Sequence, residues 1–105
     1  MLNEIQNCFI NEKILFSRHA KVEMENEEFG AILAKDVYEA ISNGKIIENY
    51  PADEPYPSCL VFGRTGTNRA LHVVCAYSKE NDLTIIVTVY QPDPTKWIDN
   101  ERRKL

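Results

Sequence analysis

The chain has 105 residues, 44% hydrophobic and 27% charged, with four glycines, five prolines and a formal net charge of −4. That composition excludes collagen-like, low-complexity and disordered chains, and the length suits one domain, residues 1–105, that buries roughly two-thirds of its unfolded surface. No run approaches the roughly 20 apolar residues of a membrane span, and Met1 to Glu4 do not resemble a signal peptide, so a cytoplasmic protein is expected.

Leu2, Ile5, Phe9 and Ile10 follow i, i+3, i+4 spacing and predict a short amphipathic helix over residues 2–11. Lys13-Ile14-Leu15-Phe16 is a short apolar run, a strand or an extended connector. Ser17 stands where an N-cap belongs, ahead of helix formers over residues 20–28. Gly30 interrupts. Ile32, Leu33, Val37, Ala40 and Ile41 then form a second stripe, which Asn43-Gly44 closes through a left-handed C-cap. The second half changes period. Residues 45–50 read as a strand, residues 51–57 as a proline-punctuated loop, and residues 58–63, 70–77 and 83–90 as three strands joined at hairpin lengths. The expected fold is α+β, with N-terminal helices on one face of an antiparallel, mostly meander sheet.

Alternation assigns faces. Leu71, Val73, Cys75 and Tyr77 on one strand, and Leu83, Ile85, Val87 and Val89 on the next, are expected against the helices. The opposite faces carry His72, Val74 and Ala76, and Thr84, Ile86, Thr88 and Tyr90. Paired as neighbours, the strands bring His72, Thr88 and Tyr90 together on a half-open concave surface. Residues 1–55 hold eleven acids and five bases, and residues 56–105 hold five acids and seven bases. That asymmetry lets one face meet an anionic ligand and another a basic partner, or simply solvates the surface.

The motifs occur in a distinctive order: Ser17-Arg18-His19-Ala20, then Val37-Tyr38-Glu39-Ala40-Ile41 up to Gly44, then Tyr50-Pro51 and Tyr56-Pro57-Ser58-Cys59. They continue through Leu71-His72-Val73-Val74 to Thr88-Val89-Tyr90-Gln91-Pro92-Asp93-Pro94 and Trp97. The order resembles the bacterial and archaeal "domain of unknown function 4258" family over residues 17–97. The resemblance implies a barnase/colicin/RelE-like ribonuclease fold and a toxin-like, RNA-cleaving role. It also implies, as partner, a small zinc-finger antitoxin with a helix-turn-helix. One departure stands out. Where many relatives carry arginines after the Ser-x-His-Ala motif, this chain has Glu23 and Glu27, whose charge repels a polyanion in a shared groove.

Metal-independent RNA cleavage takes a proton from the ribose 2′-hydroxyl, gives one to the leaving 5′-oxygen and stabilises a charged phosphorane. Histidine titrates near neutrality, and the chain has two, His19 and His72. These are the acid/base candidates, with Tyr90 assisting. Arg18, Arg64 and Arg69 are candidate phosphate donors, Thr88 lines the surface, and Trp97 offers a stacking ring.

Each has a plainer alternative. His19 ties its helix to the sheet, His72 is a satisfied core histidine, and Tyr90, Tyr50 and Trp97 are packing anchors. Arg64 and Arg69 are solvated beside a hairpin, Pro92-Asp93-Pro94 pins Trp97 to the body, and Arg102-Arg103-Lys104 either reads as a frayed end or adds phosphate attraction. Cys8, Cys59 and Cys75, odd in number and in apolar settings, read as reduced thiols. No metal-ligand spacing or phosphate-binding loop is present, so neither metal nor cofactor is expected. A Cys75 nucleophile is excluded because His72 points to the other face of its strand. The alternative to a ribonuclease is a non-catalytic binding domain of the same fold that engages a protein partner.

Overall fold

The periodicity of the first half is resolved into three helices in the structure, a computed structural model that describes residues 1–105. Helix α1 (Leu2–Ile10) turns Ile5, Cys8 and Phe9 inward, while Ile10 falls off that stripe and is 77% exposed. Strand β1 (Ile14–Phe16) follows, and then helix α2 (Arg18–Glu25). Ser17 caps α2 as its composition predicts. Its hydroxyl oxygen accepts the Ala20 amide at 3.0 Å and donates to the Val87 carbonyl at 3.1 Å, which ties the helix start to the sheet. The helix ends at Glu25, short of the expected Glu28, where the Asn26 side-chain amide takes the Val22 carbonyl and Ile32 N–H returns to Met24. Helix α3 (Ala34–Ser42) begins after Leu33, whose backbone N–H is held by the Asp36 carboxylate at 2.8 Å.

Strands β2 (Lys45–Tyr50), β3 (Ser58–Arg64), β4 (Ala70–Ser78) and β5 (Leu83–Tyr90) pair antiparallel in chain order. The expected antiparallel sheet needs one correction. Strand β1 adds to the far side of β5 in parallel, giving a mixed five-stranded sheet of order β1-β5-β4-β3-β2. Short links dictate direction only between consecutive strands, and β1 is separated from β5 by two helices and three strands.

All three helices press on one face. Ile5 and Phe9, Ala20 and Met24, and Val37, Ala40 and Ile41 share a single core with Cys59, Val61, Leu71, Val73, Cys75, Ile86 and Val89. Leu71, Val73 and Cys75 lie where alternation puts them, but β5 does not keep its alternation. Cys75 pairs with Ile86 and Val74 with Thr88, which leaves Val87 as a bulge residue. The bulge exchanges the two faces. Thr84 and Ile86 therefore point into the helix side, both fully buried, and Val89 rejoins that side beyond Val87.

Two glycines position α3 against the sheet. A Cβ on Gly63 would stand 1.8 Å from the Ala40 carbonyl oxygen, so β3 approaches the helix backbone more closely than any other residue allows. Gly44 is not left-handed as its C-cap reading requires. Its need for a hydrogen in place of a side chain is steric, since a Cβ there would meet Val61 Cγ1 at 2.5 Å. No helix is long and apolar enough to cross a membrane.

The chain does not fray after β5. Residues 97–103 form a two-stranded hairpin, β6 (Trp97–Ile98) with β7 (Arg102–Arg103), closed by Asp99 and Asn100 at φ 53° and 63°. Glu101 N–H donates to the Ile98 carbonyl across this turn at 3.0 Å, and short polar residues suit its positive φ values. The hairpin belongs to a sheet of its own and covers part of the face opposite the helices.

Candidate active site on the outer face of the sheet

His72 and Tyr90 are direct register partners across β4 and β5, on the face that the helices leave free. Thr88 lies two residues along, opposite Val74, so His72, Thr88 and Tyr90 share that face as alternation predicts. His72 is not open to solvent: it is 0% exposed, packed edge-on against Trp97, Tyr90 and Phe62 at centroid distances of 4.5, 5.2 and 5.9 Å. Its Nε2 lies against the Asn100 carbonyl, which only accepts, so Nε2 carries the proton. Nδ1 is then the acceptor for the Tyr90 hydroxyl at 3.1 Å. Burial holds the imidazole below its ordinary 6.5, against the opposing pull of the Asn100 carbonyl. Burial also pushes the Tyr90 phenol up to about 12. The couple is a neutral imidazole with a protonated phenol.

Around it lie Glu48, which the sequence does not single out, and Arg103 and Tyr50, which it offers as a tail residue and a packing anchor. Arg103 reaches from β7 to Glu48 on β2, its Nε and a terminal nitrogen donating at 2.8 and 3.0 Å, and its guanidinium lies 4.7 Å from the Trp97 ring centroid. That forked contact holds the Glu48 carboxyl below the usual carboxylate range. The Tyr50 hydroxyl also donates to Glu48. A visible signal existed, because Glu48 is an acid within a strand and Arg103 the middle of three consecutive bases beyond Trp97. Tyr90, Lys96, Trp97 and Arg103, together with Glu27 and Glu28, line a cleft of about 590 Å³ beside the couple.

The two histidines are not brought together. His19 projects from α2 into solvent, its Nε2 3.4 Å from Glu23, while His72 lies across the sheet from the helix layer. Flanking one phosphate with this pair therefore fails on topology. Arg18 is exposed at the start of α2. Arg69 is committed to structure: its Nε donates to Gln91 at 2.7 Å, and its terminal nitrogens hold the Gly30 and Ala31 carbonyls. Arg64 stays exposed in the β3–β4 hairpin, over Phe62 and bonded to the Asn68 carbonyl at 3.2 Å. Trp97 is 6% exposed and shields His72. Of the predicted set, His72, Thr88, Tyr90 and Trp97 gather on one face, whereas His19, Arg18 and Arg69 lie elsewhere.

The departure at Glu23 and Glu27 has a structural use. Strand β1 covers the edge of β5 only as far as Ile86. Beyond it, Glu23 accepts the Val89 N–H at 3.1 Å and Glu27 the Gln91 N–H at 2.7 Å. The carboxylates of Glu23 on α2 and of Glu27 just beyond its end thus satisfy the donors that β1 is too short to reach. Glu23→Ala is expected to cost about 1–3 kcal/mol by orphaning a backbone donor, and Glu23→Gln, which keeps an acceptor, less. Urea midpoints check this; equal midpoints for Glu23→Ala and the unsubstituted chain would show that the contact carries no stability.

The three cysteines are buried and unpaired. Cys59 and Cys75 face each other across β3 and β4, and burial pushes the Cys59 thiol up to about 11 and Cys75 well above its ordinary value, so neither is a nucleophile near neutral pH.

A family model described as "Domain of unknown function (DUF4258)" matches residues 16–91, from the last residue of β1 to the first residue after β5. Neither the comparison with curated proteins nor that with solved structures gave a match. The match spans well over half the chain and takes in the β4–β5 pair that holds His72 and Tyr90. The chain belongs to the DUF4258 family of domains of unknown function.

Proposed function

We propose that this protein is a toxin-like, metal-independent endoribonuclease whose chemistry centres on the Tyr90–His72 couple. The observation that carries the reading is the directed hydrogen bond from the Tyr90 hydroxyl to His72 Nδ1, fixed by the Asn100 carbonyl at Nε2, at the wall of a cleft with two cations. Three helices on one face of a twisted sheet, with chemistry on the other, also suit the barnase/RelE-like assignment. In this reaction the 2′-hydroxyl gives its proton to the Tyr90 oxygen while the Tyr90 proton passes to His72 Nδ1. The 2′-oxygen then attacks phosphorus, and the 5′-oxygen leaves with a proton from the Lys96 ammonium. Lys96 also offsets charge on the phosphorane. His19 has no part in it. In the toxin-like setting a zinc-finger, helix-turn-helix antitoxin is the expected protein partner.

Growth and RNA integrity after induced expression test the reading. The unsubstituted chain is expected to arrest growth and cut RNA. Tyr90→Phe keeps the ring and loses the hydroxyl, so cleavage should fall about 10²-fold or more, while His19→Ala cuts as before. Intact RNA with the unsubstituted chain, or full cleavage by Tyr90→Phe, sinks the mechanism.

One observation favours a second reading, the non-catalytic binding domain. The cleft wall carries the carboxylates of Glu27, Glu28 and Asp93 beside its two bases, on a chain of net charge −4. A basic protein segment fits such a wall better than a polyanion does. Intact RNA together with a stable complex with the antitoxin-type partner would support it.

A further inference from the structure

We propose that the C-terminal hairpin, residues 97–103, is a detachable strap that closes over His72 at low ionic strength and opens when its two ionic latches are released. The inference rests on the proposed ribonuclease site for its consequence, though not for its mechanics.

The strap is attached in an unusual way. Its two strands pair only with each other, and no backbone hydrogen bond joins them to the five-stranded sheet. A lone two-stranded hairpin is marginal in water, so side chains must hold it in place. Two ion pairs do so, and both end on β2: Lys45 with Glu101, and Glu48 with Arg103. The cationic partners are exposed, at 59% for Lys45 and 63% for Arg103, so salt screens these latches readily. A third tie is the contact of His72 Nε2 with the Asn100 carbonyl, and a fourth is Trp97 packed on the imidazole.

Those last two ties are also what shuts the site. Trp97 and Asn100 together take the accessible edge of His72, which is why a histidine on the outer face is fully buried. The family match ends at residue 91, so the strap lies outside the stretch that carries the His72–Tyr90 pair. His72 and Tyr90 lie within the family core and are covered by a segment beyond it, held on latches of surface charge, which are the parts of an autoinhibitory contact.

Trp97 is the only tryptophan, and it is the strap residue packed against His72, so its fluorescence reports opening directly. The experiment uses the full chain and the doubly substituted Lys45→Gln/Glu48→Gln chain, which alters both latches without touching the strap's own sequence. Acrylamide quenching of Trp97 is read alongside far-UV circular dichroism, from low salt to high salt, as the Debye length falls from about 30 to about 3 Å. Expected is a several-fold rise in quenching with salt for the unsubstituted chain. The substituted chain should be strongly quenched already at low salt, with the dichroism unchanged in both. Quenching that stays low in both chains until the dichroism is lost overturns the strap. If the substituted chain is not folded, the salt titration of the unsubstituted chain decides alone. RNA cleavage in the same samples separates the two ideas. Opened Trp97 without cleavage leaves the strap standing and removes the ribonuclease, and cleavage with Trp97 still shielded does the reverse.

Discussion

Gly63→Ala is expected to abolish the native fold or to lower its stability by about 4 kcal/mol or more, a large part of the roughly 5–15 kcal/mol such a domain possesses. The reason is a backbone contact. The added Cβ would lie 1.8 Å from the Ala40 oxygen, 2.6 Å from its carbonyl carbon and 3.0 Å from its Cα. No side chain can rotate away to make room. Relief requires α3 to move off β3, which opens the core around Val37, Ala40, Ile41 and Val61, all of them 0% exposed. Gly66→Ala is the control, because its Cβ would meet only the end of the Glu39 side chain, at 3.1 Å. A flexible carboxylate shifts cheaply, so Gly66→Ala should change stability by about 1 kcal/mol or less. Urea unfolding followed by circular dichroism makes the comparison. Equal midpoints for the two variants would mean that α3 and β3 are not packed at this distance.

This contact shows what sequence reasoning reaches and what it does not. The stripes of α1 and α3, the Ser17 cap and the three hairpin-linked strands all follow from local rules, because each depends on residues within a turn or two of one another. The α3–β3 approach depends on residues 40 and 63 meeting, and a glycine in a strand gives no hint of its partner. The β5 face reversal was hidden for a similar reason. Thr84, Ile86, Thr88 and Tyr90 alternate without interruption, and only the register against β4 shows that Val87 is a bulge. The parallel placement of β1 is a further long-range event, and its three residues carry little pattern of their own.

The candidate site was partly legible. Alternation put His72, Thr88 and Tyr90 on one face correctly, since all three lie outside the bulged step. It could not separate His72 from His19, because which side of the sheet α2 occupies relative to β4 is a property of the whole packing. Nor could it find Asn100, whose backbone carbonyl, not its side chain, fixes the His72 tautomer. Arg69 illustrates the reverse error. A guanidinium beside a hairpin looks free to bind phosphate, yet here each of its three nitrogens is engaged, by Gln91 and two carbonyls of the α2–α3 connection.

Removing the His72 side chain tests the architecture of this face independently of any activity. His72→Ala deletes a fully buried ring enclosed by three aromatic neighbours and leaves the Tyr90 hydroxyl and Asn100 carbonyl facing a void, so a loss of about 3 kcal/mol is expected near neutral pH. That loss should depend on pH in a defined sense. Burial lowers the folded-state pKa of His72 below the 6.5 of the unfolded chain, so below about pH 6.5 the unfolded chain takes up a proton that the folded chain refuses. The His72 contribution is therefore complete above 6.5. It declines as pH falls towards the folded value, with a slope of at most about 1.4 kcal/mol per pH unit. The alanine chain has no such proton to take up. The stability gap between the two proteins should accordingly narrow as pH is lowered from about 7 to about 5. Urea midpoints and slopes measured at intervals across that range supply the test, and a gap that stays constant would mean that His72 titrates alike in both states and is not sealed beneath the hairpin.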